Sequence, residues 1–359
     1  MEVGGRLQEF YRGKRILVTG LSGFKGAWLG LWLHDLGAEV SGLSLKPEGK
    51  LNLYRQLGLD GLVDSRYGDI RDLKTIRKAL AKAKPQIVFH LAAQSLVRRS
   101  YQDPVGTFET NALGTAHVLE ACRHARSVKV IQVITSDKCY ENNDSGVPFR
   151  ESDRLGGHDP YSASKACAEL AVSSYRDSFF ADGISLSSAR AGNVIGGGDW
   201  AEHRIIPDCA RALSKGKAVI VRHPESTRPW QHVLEPLSGY LLLAARQWEE
   251  PGKFGSAWNF GPEPGDVAPV REVVERFFKA WGSGRWAQAA ANGGREATAL
   301  RLDSSKAKAL LGWKPVYSID EAVAQTAAWY KAWASDQKFS AACFCRDQIR
   351  RYANCTRVQ

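Results

Sequence analysis

The first half of the chain alternates between short β-branched segments and longer segments whose apolar residues have helical spacing. The segment KRILVTG is a short branched run that ends in glycine, and AWLGLWLHDLG follows it with a helical pattern that Gly37 ends. Further strands are predicted for AEVSGLSL, QIVFHLAA, VKVIQVITS and ISLSSAR, with helical patterns such as DLKTIRKALAKA and NALGTAHVLEACRHA between them. This alternation predicts an α/β fold with a doubly wound parallel sheet of the Rossmann type.

After residue 190 the pattern loosens into stretches that contain Gly, Pro and Trp, which predicts a smaller second lobe. We expect a dinucleotide-binding domain over residues 1–190, a mainly substrate-binding lobe over 191–335 and a C-terminal tail over 336–359. The segment QHVLEPLSGYLLLAARQW has the pattern of a long amphipathic helix, and AWNFG that of a short strand. The chain is therefore expected to return to the first domain near residues 231–262.

Composition favours an enzyme that acts on a small, negatively charged molecule. The 359 residues are 44% hydrophobic, which is enough for a substantial core, and 49 Lys and Arg against 38 Asp and Glu give a net charge of +11. The basic residues are scattered and lack a nucleic-acid-binding pattern, so no nucleic acid is expected as a partner. Apolar runs are shorter than a membrane span, so we expect no membrane partner and a cytoplasmic protein.

The seven cysteines show no paired metal-ligand spacing and lie mostly inside apolar segments. Buried free thiols are expected, and no metal site is predicted.

Three glycines mark a candidate cofactor turn directly after the first predicted strand. In TGLSGFKG, Gly20 permits a tight turn, Gly23 lets the backbone approach a pyrophosphate, and Gly26 allows close packing of helix and strand. The helix that starts at Phe24 and Lys25 offers free N–H groups to the anion. In an alternating strand and helix pattern, this turn predicts a dinucleotide site.

The end of the second strand lacks the acidic residue that usually binds the adenosine ribose of NAD. The stretch GLSLKPEG instead has Ser44 and Lys46 in this region. Lys46 either pairs with the additional phosphate of NADP or is a solvated loop lysine, so the expected cofactor is NAD with NADP not excluded.

A candidate catalytic set combines DPYSASKACAEL with VITSDKCYENND. Tyr161 and Lys165 are four residues apart and share a helix face, and a neighbouring ammonium favours the phenolate of a tyrosine whose pKa is ordinarily about 10. Ser136, at the end of a predicted strand, completes a hydroxyl, phenol and amine set for hydride chemistry. Asp137 and Lys138 are surplus to simple hydride transfer and indicate an additional proton transfer.

Seven segments carry a resemblance to a known family: TGLSGFKG, HLAAQSLVRRSY, ITSDKCY, PYSASKACAEL, RAGNVIGGGDW, RPWQHVLEPLSGY and WNFGP. From about residue 13 to about residue 335 the chain resembles the sugar-nucleotide 4,6-dehydratases, NAD-dependent members of the extended short-chain dehydrogenase/reductase superfamily. Most of these dehydratases have Thr-Asp-Glu where this chain has Ser136, Asp137 and Lys138. Ser-Asp-Lys is similar to the CDP-glucose branch, which implies CDP-glucose as the substrate.

The resemblance implies a reaction in three stages on one bound sugar. Tyr161 takes the 4-hydroxyl proton while NAD⁺ takes the hydride, Asp137 as an acid protonates the departing 6-hydroxyl, and the hydride returns to carbon 6. Lys138 is either the base that removes the carbon-5 proton or a charged group that stabilises the enolate.

The resemblance also implies binding roles for residues outside the catalytic set. His232 either contacts the substrate or simply satisfies the fold, and Trp200 and Trp230 either border the ligand or, as we favour, pack in the core. The expected cofactor contacts, besides the glycine turn, Ser44, Tyr161 and Lys165, are Asp69, Ile70, Leu91, Ala92 and Ala93. The expected substrate contacts are Gln94, Asn193, Arg204, Arg228 and His232, the arginines because guanidinium groups bind phosphate well.

Two other functions remain open, a sugar-nucleotide 4-epimerase and a non-catalytic nucleotide-binding module. Asp137 and Lys138 argue against the epimerase, and the intact Ser136, Tyr161 and Lys165 set argues against the module. The resemblance further implies a homodimer or homotetramer built on a four-helix bundle of a helix near 106–123 and the helix that contains Tyr161. It also implies a role in deoxysugar supply for a bacterial surface polysaccharide such as lipopolysaccharide.

Overall fold

The computed structural model describes residues 3–49, 51–180, 183–289 and 300–355, and its centre is a seven-stranded parallel sheet. In spatial order the strands are β10 (Ala257–Phe260), β6 (Ser185–Ala191), β5 (Val130–Ile134), β4 (Ile87–His90), β1 (Arg15–Thr19), β2 (Glu39–Ser44) and β3 (Asp64–Tyr67). The order reverses direction between β1 and β4, as in doubly wound folds that bind ligands at this point. The predicted α/β fold class is confirmed.

Helices cover both faces of the sheet, so the central strands are buried along nearly their whole length. The helices are α1 (Val3–Tyr11), α2 (Phe24–Asp35), α3 (Leu53–Gln56), α4 (Leu73–Ala83), α5 (Val97–Gln102), α6 (Pro104–Phe108), α7 (Gly114–Arg123), α8 (Pro160–Phe179), α9 (Ile205–Leu213), α10 (Leu234–Glu249), α11 (Pro251–Phe254), α12 (Val270–Trp281), α13 (Ile319–Ser335) and α14 (Ala341–Cys355). Apolar residues of α4, α7 and α8 form the core on one face, and those of α2, α10 and α14 contribute to the core on the other.

The smaller lobe is built around two short sheets beside the carboxyl ends of the central strands. One contains β11 (Val267–Pro269), β9 (Thr227–His232) and β7 (Asn193–Ile195), and the other contains β12 (Trp286–Gln288) and β8 (Val219–Val221). Between β9 and β11 the chain leaves this lobe, forms α10 against the central sheet and adds β10 beside β6. The lobes are therefore joined by several chain crossings.

The C-terminal segment differs from the expected tail, because residues 341–355 form α14 and pack on the first lobe. Ala341, Cys345, Ile349 and Tyr352 are buried at helical spacing. On the exposed side, Arg346 Nε lies 2.9 Å from a carboxylate oxygen of Asp35. The segment is thus part of the folded core.

All seven cysteines are free thiols, and four of them are buried. Within the described ranges, no group of three or more His, Cys, Asp or Glu residues is arranged to hold a metal ion. No helix in the described part of the chain has both the length and the apolar character needed to cross a bilayer.

Candidate active site

A cavity of about 1090 Å³ lies between the two lobes at the carboxyl ends of the central strands. It is the size expected of a ligand site, and its position matches the crevice where doubly wound sheets bind ligands. Its walls come from the turn after β5, the start of α8, β7, the start of α9 and β9. Most of the site residues that the sequence predicted line this cavity.

The glycine turn forms a cradle with no space for side chains. Gly20 has a left-handed φ of 75°, and a Cβ there would lie 2.6 Å from the backbone nitrogen of Ala92. A Cβ on Gly26 would overlap the carbonyl oxygen of Gly20. Gly23 precedes the first residue of α2, so the free N–H groups of the helix start face the turn. These residues fit the diphosphate of a dinucleotide.

The side chain of Lys25 turns from this cradle into the catalytic cavity, which its sequence position did not indicate. Its Nζ donates to the Tyr240 hydroxyl at 3.4 Å. Burial lowers the pKa of Lys25 to about 7, and the charges of Lys165 and Arg204 act in the same direction. Phe24 and Leu91 also line the cavity.

Ser136 and Asp137 lie in a short 3₁₀ turn directly after β5. Ser136 caps this turn by accepting a hydrogen bond from the Lys138 backbone nitrogen at 3.2 Å, and its hydroxyl donates to Asp137 at 3.0 Å. Asp137 is only 4% exposed, and burial raises its pKa even though Lys138 and Ser136 act to lower it. Burial therefore shifts the protonation equilibrium of Asp137 toward the neutral acid. Lys138 lines the cavity and is half-buried.

Tyr161 enters the cavity from the first turn of α8, which Asp159 caps by accepting the Ser162 backbone N–H at 3.0 Å. Burial raises the pKa of Tyr161 to about 12, although a hydrogen bond with Ser136 and the charge of Arg204 act to lower it. The sequence predicted that Lys165 lowers this pKa. In the structure Lys165 lines the same cavity as Tyr161, and its Nζ donates to the Ile134 carbonyl at 3.3 Å.

A buried ion pair lies behind the catalytic residues, and the sequence analysis missed it. Glu169 accepts hydrogen bonds from Arg190 and Ser188 at 2.7 Å each and from the Thr135 hydroxyl. Burial acts to raise the pKa of Glu169, but these partners outweigh it and the pKa is lowered. Burial also lowers the pKa of Lys165 to about 8, against the charge of Glu169. Helical spacing could have indicated Glu169, since Tyr161, Lys165 and Glu169 lie four residues apart on α8.

Cationic side chains surround the part of the cavity nearest the small lobe. Arg204 donates to Asp199 at 2.8 Å and to Ser95 at 3.1 Å, and Arg228 donates to the Thr227 carbonyl at 2.9 Å. Arg204, Arg228 and Asn193 all line the cavity, as the sequence predicted. The structure adds residues that were not among the candidates, namely Arg98, Arg99, Asp199, His203 and Arg222.

Two predicted substrate contacts do not line the cavity. The side chain of Gln94 is committed to its own loop, donating to the Leu96 carbonyl at 3.1 Å and to the Thr107 hydroxyl at 3.0 Å. His232 is fully buried between the rings of Trp28 and Tyr317, and burial lowers its pKa to about 3. Gln94 shapes the backbone after β4, and His232 is a core residue.

The predicted cofactor contacts at the far end of the site are spread over three strand ends. Ser44 ends β2 and is buried, whereas Asp69 follows β3 and forms an ion pair of 2.7 Å with Arg71. Ile70 is buried behind Asp69. The Ala92 backbone nitrogen donates to Thr19 at 3.2 Å, which fixes the segment of Leu91, Ala92 and Ala93 beside the glycine turn.

Both tryptophans considered at the site have structural contacts. Trp200 donates to Gln56 at 2.9 Å and packs on Trp329 and Trp333, outside the cavity wall. Trp230 is 4% exposed and donates to the Ala268 carbonyl at 2.9 Å, although it also lines the cavity. Core packing therefore accounts for both side chains.

Comparison with known proteins places these features in a family. The family model for GDP-mannose 4,6 dehydratase matches residues 17–326. A CDP-glucose 4,6-dehydratase from Salmonella typhimurium is 46% identical over 333 residues, covering 91% of this chain and 93% of that protein.

Solved structures extend the similarity to three dimensions. DesIV, a dTDP-glucose 4,6-dehydratase from Streptomyces venezuelae solved with NAD bound, has a TM-score of 0.76 and 26% identity, covering 88% of this chain and 97% of that one. A UDP-glucose 4-epimerase from Brucella ovis in complex with NAD has a TM-score of 0.75 and 25% identity, covering 88% and 98%. Because both enzyme types share the fold, the fold alone does not choose between them.

Proposed function

The chain belongs to the GDP-mannose 4,6 dehydratase family, and on that premise we propose that it is an NAD-dependent CDP-glucose 4,6-dehydratase. The product is CDP-4-dehydro-6-deoxy-D-glucose, formed with loss of water. The 46% identity to the Salmonella enzyme, over nearly the full length of both proteins, supports the substrate. The observation that carries the reaction is a buried acid, Asp137, beside the Ser136 and Tyr161 pair in one cavity.

Tyr161 is the proposed acceptor of the sugar 4-hydroxyl proton, with Ser136 as its partner. NAD⁺, held at the glycine turn, would supply the hydride acceptor for carbon 4 and, once reduced, the hydride donor for carbon 6. Ser136 hydrogen-bonds Tyr161 and positions its phenol oxygen, while Lys165 and Lys25 place positive charge in the same cavity. Since burial alone disfavours the phenolate, Tyr161 depends on these partners and on the bound ligands to accept a proton.

Asp137 supplies the acid that elimination needs. A 6-hydroxyl leaves as water only when it is protonated, and the raised pKa of Asp137 favours its use as the proton donor. Lys138, directly after Asp137, either removes the carbon-5 proton or stays charged and stabilises the enolate. The first role requires a neutral amine and the second requires an ammonium, so the two roles predict opposite pH dependence.

Arg204 and Arg228 are the proposed ligands for the substrate diphosphate. Both guanidinium groups reach the cavity from the small lobe, and Asn193 lies on the neighbouring strand β7. Arg204 is oriented by Asp199 and Ser95, which leaves part of its donor fork for phosphate oxygens. These contacts would orient the glucose ring toward Tyr161.

Incubation with CDP-glucose and a catalytic amount of NAD⁺, without reductant, tests the function. A dehydratase yields a product lighter by one water, with the alkaline ultraviolet band of a 4-keto sugar. With substrate deuterated at carbon 4, the label should appear at carbon 6 of the product. An isomer of unchanged mass would show an epimerase, and unchanged substrate in the presence of bound NAD⁺ would support a non-catalytic module.

We further propose that the enzyme is a homodimer that pairs α6, α7 and α8 with their copies. Val105 on α6, Leu113 in the helical turn just before α7 and Leu170 on α8 are exposed at 68%, 51% and 58%, and the elements that carry them pack on one another. Multi-angle light scattering should give the mass of two chains, or of four if dimers pair. Leu113→Asp with Leu170→Asp should shift the mass to one chain, and Val147→Asp, in an equally exposed loop, should not.

We propose that the enzyme acts in the cytoplasm, where free thiols such as those of its seven cysteines persist. Its 4-keto-6-deoxy product suits reductive or transfer steps that make deoxysugars, consistent with supply of a bacterial surface polysaccharide.

A further inference from the structure

A second cavity, of about 540 Å³, lies at the outer edge of the central sheet. It opens beside Ala257, the first residue of the edge strand β10, and we call it the edge cavity. No described residue lines both the edge cavity and the catalytic cavity. Its volume is within the range of small-molecule sites. The edge cavity is therefore a candidate site for a ligand that is neither the substrate nor the dinucleotide.

Lys306 lies in the wall of the edge cavity and has binding capacity left. Its Nζ donates to the Ala257 carbonyl at 2.8 Å and to the Ser256 hydroxyl at 2.9 Å. An ammonium group has three N–H donors, so one remains for a ligand. Burial lowers the pKa of Lys306, and the positive charges of Arg176 and Arg190 act in the same direction. Several cations therefore lie close together here.

Arg176, on α8, contributes a guanidinium group whose donors are incompletely used. Its Nη2 donates to the Ser173 hydroxyl at 3.3 Å, and its Nε lies 3.6 Å from a carboxylate oxygen of Asp177. Its Nη1 is buried and has no hydrogen-bond partner in the part of the chain that the structure describes. A buried donor without a partner is unfavourable, and an anion in the adjoining cavity would compensate the charge of this group.

The acidic residues of the edge cavity do not balance its cations. Asp303 pairs with Arg150 at 3.1 Å and accepts the Ser305 backbone N–H at 2.8 Å, and the hydrogen bonds with Ser305 lower its pKa. Glu151 accepts the Asn259 backbone N–H at 2.8 Å, and burial raises its pKa. Three cations thus accompany one ionised carboxylate and one carboxyl whose charge burial disfavours. The balance of charge favours an anionic ligand.

The remaining lining groups indicate what the anion carries. Guanidinium and ammonium groups bind phosphate oxygens well. The hydroxyls of Ser152 and Ser305 and the carboxylate of Asp303 are hydrogen-bond partners for the hydroxyl groups of a sugar. An inorganic phosphate ion would occupy only part of 540 Å³. A phosphorylated sugar uses both the charge and the volume.

We propose that the edge cavity binds a sugar phosphate, with Lys306, Arg176 and Arg150 as the ligands of the phosphate group. The proposal does not rest on the proposed function, because none of these residues takes part in the proposed reaction.

Calorimetric titration of glucose 6-phosphate into the full-length protein tests the proposal. The protein is first saturated with CDP and NAD⁺, so that neither the nucleotide nor the dinucleotide part of the catalytic cavity is open to the probe. One molecule of glucose 6-phosphate should bind per chain with a Kd below about 1 mM. Inorganic phosphate should bind at least about tenfold more weakly, because it lacks the sugar hydroxyls.

Two substitutions identify the site. Arg176→Gln should weaken glucose 6-phosphate binding by about tenfold or more, and Arg150→Gln, at a side chain 73% exposed, by about threefold or more. Lys306 is left unchanged because it also binds the edge strand. The matched control is Arg154→Gln, which removes another exposed arginine, paired with Glu141 at 3.0 Å outside the edge cavity, and should leave the affinity unchanged.

The proposal is overturned if glucose 6-phosphate does not bind at about 10 mM, or if it binds only when CDP is omitted. Equal effects of Arg150→Gln, Arg176→Gln and Arg154→Gln would also overturn it. Inorganic phosphate that binds as tightly as glucose 6-phosphate would overturn the assignment of a sugar phosphate as the ligand.

Discussion

Asp137, in the turn after β5, and Glu235, which contacts the C-terminal helix α14, are both buried carboxyl groups whose pKa is raised by burial. The two carboxyl groups differ in their surroundings. Asp137 faces a cavity of about 1090 Å³ that a substrate can enter. Glu235 of α10 is closed in by protein donors, accepting the Tyr352 hydroxyl at 2.7 Å and the Tyr317 backbone nitrogen at 2.8 Å. A raised pKa therefore indicates catalysis only where the group faces open space.

Glu169 provides a third case that sharpens this comparison. It is as buried as Asp137 and lies close to the same catalytic residues, yet Arg190, Thr135 and Ser188 hold it ionised. We expect replacement of each carboxyl group by an amide to have a different effect. The substitution should lower activity at Asp137, destabilise the fold at Glu169 and change the pH dependence of stability at Glu235.

The largest effect is expected for Asp137→Asn, which removes the proposed acid at nearly constant volume. Turnover of CDP-glucose should fall by about 10²- to 10⁴-fold. Thermal stability should hold or rise, because burial disfavours the ionised carboxyl that the amide replaces. Oxidation at carbon 4 should persist, so the near-ultraviolet absorbance of reduced nicotinamide should accumulate with substrate. Turnover within about threefold of the wild type would refute the role of Asp137.

Glu169→Gln should act on the fold, because it leaves the Arg190 guanidinium buried without its ionic partner. We expect the free energy of unfolding in urea to fall by about 3–5 kcal/mol. The matched control is Glu249→Gln, whose exposed pairs with Arg6 and Arg246 should cost less than about 1 kcal/mol. Replacing Glu169 and Arg190 together should cost less than the single change. Equal losses for Glu169→Gln and Glu249→Gln would contradict this assignment.

Glu235→Gln is expected to have the smallest effect, visible mainly as a function of pH. Burial raises the pKa of Glu235 to about 7, so its contribution to stability is present at low pH and is lost as pH rises through about 7. From about pH 5 to about pH 8, the wild type should lose up to about 3 kcal/mol relative to Glu235→Gln. Parallel stability curves for the two proteins would show that Glu235 does not titrate there. The pH dependence of turnover should be the same in both.

Much of the fold and the catalytic core was predictable because the signals are local. The turn with Gly20 and Gly26 directly follows a strand and requires residues without a side chain, and a few neighbouring residues display both signals. Helical spacing predicts that Tyr161 and Lys165 share one helix face, and the end of a strand predicts the position of Ser136. Each of these features depends on short-range geometry that a single sequence displays.

The residues that were misassigned or missed depend on partners distant in the sequence. Gln94 was expected at the substrate, but Thr107 on α6 binds its amide. The ion pair of Glu169 joins α8 to Arg190 on β6, and α14 is ordered by packing on the first lobe. Spacing alone cannot indicate which distant segment will satisfy a buried polar group.

The passage of the chain out of the small lobe and back into the central sheet ties the halves of the enzyme together. A protein truncated after residue 191 would lack β10 and α10, leaving β6 as an uncovered edge with buried serine and arginine side chains facing water. The nucleotide-binding half should then aggregate rather than fold alone.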